Sequence, residues 1–209
     1  MIGMQMKLLL DSGIYVGDIR DDCPHGNGLL KANDGTVYAG KWRDGVMCGH
    51  GVCWYADGSV YNGEWYRGMK CGPGCQSYND GSEYDGEWKF DMHWGHGIMH
   101  MADGSTYEGG YYKDNRNGRG TYIAPNGTTY SGRWKDGYKN GNGVLSWSNG
   151  DRFEGTWDHD HIVGDGVYYS LDHEYYGKMG DDGTFEGHEV TKDGKVRRSE
   201  VFHKNRYWY

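Results

Sequence analysis

The sequence contains very little proline and few aliphatic residues. Only 3 of its 209 residues are proline, and leucine, isoleucine and valine are scarce beside an aromatic content of 15%. So little proline excludes a collagen-like chain, and a compact α/β domain of this length would need more aliphatic side chains for its core. No apolar run approaches the length of a membrane-spanning helix, and the short run Met6–Leu10 lacks the cleavage site of a secretory signal.

Cysteine is present in an odd number and only in the first part of the chain. The five cysteines are Cys23, Cys48, Cys53, Cys71 and Cys75. An odd number concentrated in this way does not suit a disulfide framework. We therefore expect free thiols and a cytoplasmic protein, with membrane or cytoskeletal association left open.

What the chain does contain is a 23-residue repeat that occurs seven times. Each copy carries Tyr-x-Gly-x-Trp, then Gly-x-Gly, then Asp-Gly or Asn-Gly. The second copy shows the frame in Tyr38, Gly40, Trp42, Gly45, Gly49, Gly51, Asp57 and Gly58. A fixed period of this size predicts an array in which each unit packs mainly on its neighbours.

The period also sets the predicted boundaries. The seven repeats are 15–37, 38–60, 61–83, 84–106, 107–129, 130–152 and 153–175. Residues 1–14 are predicted to form an N-terminal cap strand, and 176–209 a divergent C-terminal cap with a basic, aromatic tail. The register slips after the seventh copy, as expected of a terminal cap.

The alternation of aromatic residues predicts two short strands in each repeat. The Asp-Gly and Asn-Gly pairs, such as Asp57-Gly58, predict two-residue hairpin turns with positive φ at both residues. The predicted fold is all-β: an elongated, single-layer antiparallel β-meander of about fourteen stacked hairpin strands. Strand twist should coil it into a curved ribbon with an aromatic groove.

These motifs resemble the MORN repeat (membrane occupation and recognition nexus), from Tyr15 to about Tyr175. The chain departs from that pattern where Ile19 and Tyr111 replace tryptophan, and where position eight is acidic, as at Asp91. The resemblance implies an elongated β-sheet that acts in protein–protein interaction or dimer assembly. Association with membranes or phosphoinositides is also attributed to the family.

The leading hypothesis is a non-enzymatic interaction scaffold. Its groove would hold a peptide or helix of a protein partner, and its exposed end strands could pair in a homodimer. The predicted groove residues are Tyr38, Trp42, Tyr61, Trp65, Tyr84, Trp88, Tyr107, Tyr111, Tyr130, Trp134 and Trp157. The alternative role for each of these rings, and the more frequent one for a single ring, is a place in the core of the array. No catalytic residue and no cofactor is predicted, because the chain has no nucleophile elbow, P-loop or H-E-x-x-H motif.

Two sets of residues have the chemistry of metal ligands. The Asp/Asn ladder at position 20, from Asp34 to Asp172, is explained by turn chemistry. The loops of repeats one to four carry Cys23, His25, Cys48, His50, Cys71, Trp94 and His96. Because no Cys-x-x-Cys pair supports zinc, no metal site is predicted.

The main alternative is a peripheral membrane tether. It would use the basic tail residues Lys192, Lys195, Arg197, Arg198, Lys204 and Arg206. A formal net charge of −8, and acidic even positions such as Asp85 and Glu87, disfavour anionic lipid and nucleic acid. A ligand-binding β-solenoid and a cryptic enzyme are weaker alternatives.

Overall fold

The fold was obtained as a computed structural model that describes residues 6–170, 173–180, 183–190 and 195–202. The described residues form strands and turns with no helix, which confirms the all-β prediction. The chain divides into two compact units, Met1–Ala102 with Tyr112–Asp114, and Asp103–Tyr111 with Asn115–Tyr209.

In the first unit, nine antiparallel strands pair in chain order. They are β1 (Met6–Leu10), β2 (Gly13–Arg20), β3 (Cys23–Ala32), β4 (Val37–Arg43), β5 (Val46–Trp54), β6 (Val60–Tyr66), β7 (Met69–Ser77), β8 (Glu83–Lys89) and β9 (Met92–His100).

The second unit is built in the same way, with β11 to β18 paired antiparallel in chain order. Its strands are β10 (Thr106–Tyr112, which begins in this unit), β11 (Asn115–Ile123), β12 (Thr129–Lys135), β13 (Tyr138–Ser146), β14 (Arg152–Asp158), β15 (His161–Ser170), β16 (His173–Met179), β17 (Phe185–Val190) and β18 (Val196–Phe202). The seven repeats supply β2 to β15. The expected fourteen strands are exceeded because β1 and β16–β18 extend the meander at its ends.

The register explains why glycine recurs at positions three and fourteen of each repeat. Gly51 pairs with Gly40 on one side and with Gly63 on the other. A Cβ added to Gly51 would lie 2.3 Å from the phenol oxygen of Tyr38. The tyrosine ring therefore lies flat on bare backbone, and the glycines form a row across the strands of the unit.

The tyrosine and tryptophan rings interlock from one repeat to the next. The Trp65 ring packs edge-on against Tyr38 and Tyr61, with centroid separations of 5.3 and 5.2 Å. Its indole N–H donates to the Gly51 carbonyl at 3.2 Å. Such edge-to-face pairs contribute about 0.5–1.5 kcal/mol each beyond the area that they bury. The same arrangement joins Tyr107, Trp134 and Tyr130 in the second unit.

The turns differ from the sequence-based expectation. The two-residue turns with positive φ at both residues lie at positions seven and eight, as at Asp44 (49°) and Gly45 (80°). At the Asp-Gly pairs only the glycine has positive φ, for example Gly58 at 94°. The Asp57 carboxylate accepts the Ser59 N–H at 2.9 Å and so fixes the aspartate in the turn. The prediction of two-residue turns at these pairs was wrong, because the loop holds three residues and ends on the glycine.

The Asp/Asn ladder is engaged in turns throughout the described residues. The side-chain oxygens of Asp34, Asp57, Asp80, Asp103, Asn126 and Asn149 each accept the backbone N–H two residues later. Asp172 lies outside the described residues. The ladder is therefore structural wherever the structure describes it.

Candidate functional site

The predicted groove residues lie in the core. All eleven rings from Tyr38 to Trp157 are at most 7% exposed. Their polar atoms also form hydrogen bonds within the sheet: the Tyr61 hydroxyl, for example, donates to the Glu64 carbonyl at 3.0 Å. Side chains buried to this degree present almost no surface to a partner. The rings hold the sheet together, and a contact surface has to be sought among other side chains.

Cationic side chains cover the rings on the same face. Lys70, at position ten of its repeat, places its ammonium 4.6 Å from the centre of the Trp88 ring and 5.0 Å from that of Tyr61. In the second unit, the Arg116 guanidinium lies 4.3 Å from the centre of Trp134. Burial lowers the pKa of the Lys70 ammonium. Sequence inspection missed this role, although a cation recurs at position ten in Lys70, Arg116 and Lys139.

In the fourth repeat position ten is a histidine. The His93 ring stacks on Tyr84 with a centroid separation of 3.8 Å, and its Nε2 lies 2.8 Å from the Tyr78 hydroxyl. Burial lowers the pKa of His93 to about 4, although the nearby Asp114 carboxylate acts in the opposite direction. This imidazole is therefore held neutral inside the aromatic core.

The outer face of the first unit, opposite the rings, carries apolar side chains that are exposed or half-buried. They form a cluster, called here the apolar patch, on strands β1 to β6. Its members are Leu9, Ile14, Val16, Leu29, Val37, Ala39, Val52, Trp54 and Val60. Trp54 is 44% exposed and Leu9 79%. The patch was not predicted from the sequence. The signal that could have revealed it is that the even positions of the strands are apolar in the first repeats and acidic in later ones.

The patch is continuous across the strands. Val16 lies opposite Leu29, and Leu29 lies opposite Ala39. Val37 in turn lies opposite Trp54. Cross-strand neighbours of this kind have Cβ atoms about 5 Å apart, so their side chains touch. The equivalent rows of the second unit mix polar, charged and apolar residues: Ser131 lies opposite Thr121 on one side and Val144 on the other, and Val144 also lies opposite Glu154. The patch of the first repeats differs because its apolar side chains follow one another without an intervening carboxylate.

The acidic residues predicted for the outer face, such as Glu64 and Asp85, lie on the face opposite the tyrosine and tryptophan rings. Asn62 and Asp85 each lie opposite Cys75 in β7. Glu64 lies 3.4 Å from His50. This acidic region borders the apolar patch on β6 to β8.

The loop thiols and imidazoles do not converge. All five cysteines are unpaired. Within residues 6–202 as described, no group of three or more His, Cys, Asp or Glu side chains could hold a metal ion. Nor does that part of the chain contain a helix long and apolar enough to cross a membrane.

The predicted basic tail lies partly outside the described residues. Lys192, Lys204, Arg206 and the side chain of Arg198 lie outside the described residues. Lys195 is exposed, and the Arg197 guanidinium lies 3.5 Å from the Glu189 carboxylate.

Comparison with known protein families agrees with this architecture. The MORN repeat family model matches seven consecutive segments of the chain. They are 15–37, 38–60, 61–83, 84–106, 107–129, 130–152 and 153–173. The chain belongs to the MORN-repeat family. Among curated proteins, none matches the chain.

Solved structures resemble the chain in fold. The wild-type TCP10 domain of Danio rerio CPAP is 12% identical, with a TM-score of 0.51 over 93% of this chain and 99% of that chain. The same domain in complex with a peptide of Danio rerio STIL is 12% identical, with a TM-score of 0.50 over 94% and 99%. A CPAP G-box domain is 14% identical, with a TM-score of 0.50 over 97% and 100%. At such identity the likeness concerns the fold alone.

Proposed function

We propose that this MORN-repeat protein is a non-enzymatic scaffold that binds an extended segment of a partner protein. The observation that carries the proposal is the exposed apolar patch on the outer face of β1–β6, with Leu9 at 79%, Trp54 at 44% and Leu29 at 42% exposed. Contiguous apolar side chains on a protein surface are typical of interaction sites. The buried rings, first predicted to line a groove, support this surface by holding the strands rigid.

A fold relative supports a peptide as the ligand. A TCP10 domain of this fold has been solved with a bound STIL peptide. A single-layer sheet suits such binding, since its outer face is not covered by a second layer of the protein. Repetition also favours recognition of an extended segment, because equivalent side chains recur at each strand.

A photo-crosslinking phenylalanine analogue tests the surface directly. We expect the analogue at Trp54 to capture a discrete protein partner in the native cell, because this side chain projects from the apolar patch. Ile123 is the matched control: it occupies the equivalent position of the fifth repeat and is likewise 44% exposed. The measurement is the yield of defined adducts, identified by mass spectrometry. Absence of a discrete adduct at Trp54, or equal adducts at both sites, would contradict the proposal.

We further propose that the chain can self-associate through β1. Among the described strands of the first unit, β1 pairs with β2. Its outer edge then offers backbone N–H and C=O groups, next to the exposed Leu9. We expect Leu9→Lys to shift sedimentation toward monomer, because a charge on an edge strand opposes strand pairing. Val201→Lys, on the exposed β18, is the control and should leave sedimentation unchanged. A wild-type chain that remains monomeric at micromolar concentration would refute this part.

A cytoplasmic location is proposed on the basis of the five unpaired cysteines. The apolar patch gives the protein-binding role more support than the membrane-tether alternative, which rests on a tail that is mostly outside the described residues.

A further inference from the structure

A shallow trough crosses strands β2 to β4 beside the apolar patch. Its floor is the backbone of Gly17, Gly28 and Gly40, which lie opposite one another in register. The trough is an open depression of about 560 Å³, and its other lining residues are Val16, Asn27, Leu29 and Ala39. The depression runs at right angles to the strands.

The two walls of the trough differ in character. One wall is apolar, formed by Val16, Leu29 and Ala39. The other wall is formed by the next outward residues along the strands, among them Asn27, which lies opposite Lys41. Outward residues two apart along a strand are separated by about 7 Å, which sets the width of the trough. An α-helix about 10 Å across is too wide for that spacing, whereas an extended chain can lie over the trough and place its side chains between the walls.

The charge around the trough is mainly positive. The patch rows of β1 to β6 contain Lys7 and Lys31 and no carboxylate, and Lys41 stands on the opposite wall. Within the described residues, none of these three lysines forms an ion pair. Asp18, the next outward residue after Val16, lies beside Asn27 on the opposite wall, where its carboxylate accepts the Asn27 N–H at 2.9 Å, so the three lysines outnumber this one negative charge. Unpaired lysines beside an apolar wall complement a ligand that is both apolar and acidic.

We propose that this trough binds an extended protein segment in which apolar side chains alternate with aspartate or glutamate. The apolar side chains would pack on Leu29 and its neighbours, and the carboxylates would face Lys41 and Lys7. The inference rests on the proposed scaffold function and names the chemistry of its partner.

A flat membrane surface is a poorer match for the same side chains. Outward carboxylates at Glu64, Glu83 and Asp85 lie on the adjoining strands of the outer face. An anionic bilayer lying against this face would meet those charges and be repelled. A peptide confined to the trough over β2–β4 does not meet them.

The test uses the full chain and short labelled peptides. One peptide alternates leucine with glutamate, and its match alternates leucine with lysine. Fluorescence anisotropy measures the affinity of each peptide. We expect the glutamate peptide to bind and the lysine peptide to bind at least about tenfold more weakly, since opposite and like charges meet Lys41 and Lys7. Added salt should weaken binding of the glutamate peptide, because salt screens the attraction between its carboxylates and the lysines.

The matched variants use residues that the repeat already accepts. The double variant Leu29→Thr with Lys41→Glu places at these positions the types found at Thr121 and Glu64. The control, Val144→Thr with Arg133→Glu, makes the same changes of type at equivalent positions of the sixth repeat. The trough variant should bind the glutamate peptide about tenfold or more weakly than wild type, and the control variant less than about twofold more weakly. Both should melt close to the wild-type temperature.

Several outcomes would overturn the proposal. They are equal binding of the two peptides, equal weakening by both double variants, or a trough variant that changes only binding to phosphatidylserine vesicles. The last would assign the surface to a membrane. If crosslinking at Trp54 captures a partner whose binding neither double variant alters, the scaffold stands and the trough proposal falls. If the peptide binds in the trough but no partner is captured, the trough stands and the scaffold role falls.

Discussion

Replacing Gly51 with alanine is expected to destabilise the protein by about 3 kcal/mol, one of the largest effects of any single methyl group in this chain. Gly51 has ordinary negative φ, so the added methyl strains no dihedral. It would instead lie 2.3 Å from the Tyr38 phenol oxygen and 2.6 Å from ring carbon Cζ. The ring would have to leave the glycine row, and the edge-on contacts of Tyr38 with Trp42 and Trp65 would be lost with it.

The measurement is the free energy of unfolding in urea, followed by tryptophan fluorescence. Gly58→Ala is the comparison, because nothing lies within 4 Å of a methyl there and the cost comes only from φ of 94°. We expect about 1 kcal/mol for that change.

A double-mutant cycle identifies the cause. In a Tyr38→Leu background, which removes the ring, Gly51→Ala should cost less than about 1 kcal/mol. A full cost in that background would show that the glycine is needed for another reason, and the account of the ring lying on the backbone would be wrong.

The hairpins and the ring packing could be predicted from the sequence because they depend on local rules. Alternation of Tyr38, Gly40 and Trp42 places all three on one face of a strand. Glycine between two aromatic residues indicates close approach of a ring, and the Tyr38 phenol oxygen, 2.5 Å from a Cβ added to Gly40, confirms it. Each of these signals is weak in a single repeat and becomes strong because it recurs along the array.

The turns were harder to assign, because two loops in each repeat contain residues that tolerate positive φ. The pair Asp57-Gly58 looked like a two-residue turn, but the structure uses Asp44 and Gly45 for that purpose. Loop length, set by the pairing register of both flanking strands, decides between them, and register is not a local property.

The candidate site was less predictable than the fold. The sequence predicts two roles for its most conspicuous residues, such as Trp65: a binding groove or the core of the array. The sheet uses them for its own core, because a single layer has no opposing layer to cover its apolar face. The surface that remains consists of ordinary aliphatic side chains such as Leu29, whose exposure becomes visible only in the folded sheet.

Acidification is expected to destabilise the protein through His93. The pKa of this imidazole falls from its ordinary 6.5 to about 4 in the folded state, with burial as the main cause. The unfolded chain therefore takes up a proton at His93 between these values and the folded chain does not. The stabilisation is complete above pH 6.5 and is lost as the pH falls toward 4, at about 3 kcal/mol in all.

The arrangement around His93 explains the direction. The ring stacks on Tyr84, touches Trp88, and has Tyr78 at Nε2. Asp114 lies 3.6 Å from Nδ1 and favours the charged form, whereas Lys70 opposes it. With its proton on Nδ1, toward Asp114, the neutral ring can accept the Tyr78 hydroxyl at Nε2. A charged ring would lose that bond and would sit desolvated among aromatic side chains.

The prediction is tested by the difference between wild type and His93→Met across pH 7 to pH 4, measured as the free energy of unfolding. Methionine occupies the same position of the second repeat as Met47, so the frame accepts it. We expect the variant to lose most of the added slope between pH 6.5 and 4, while His50→Gln, at an exposed ring, keeps it. Equal slopes in wild type and His93→Met would show that other groups carry the acid sensitivity, and that the burial of this imidazole contributes little to it.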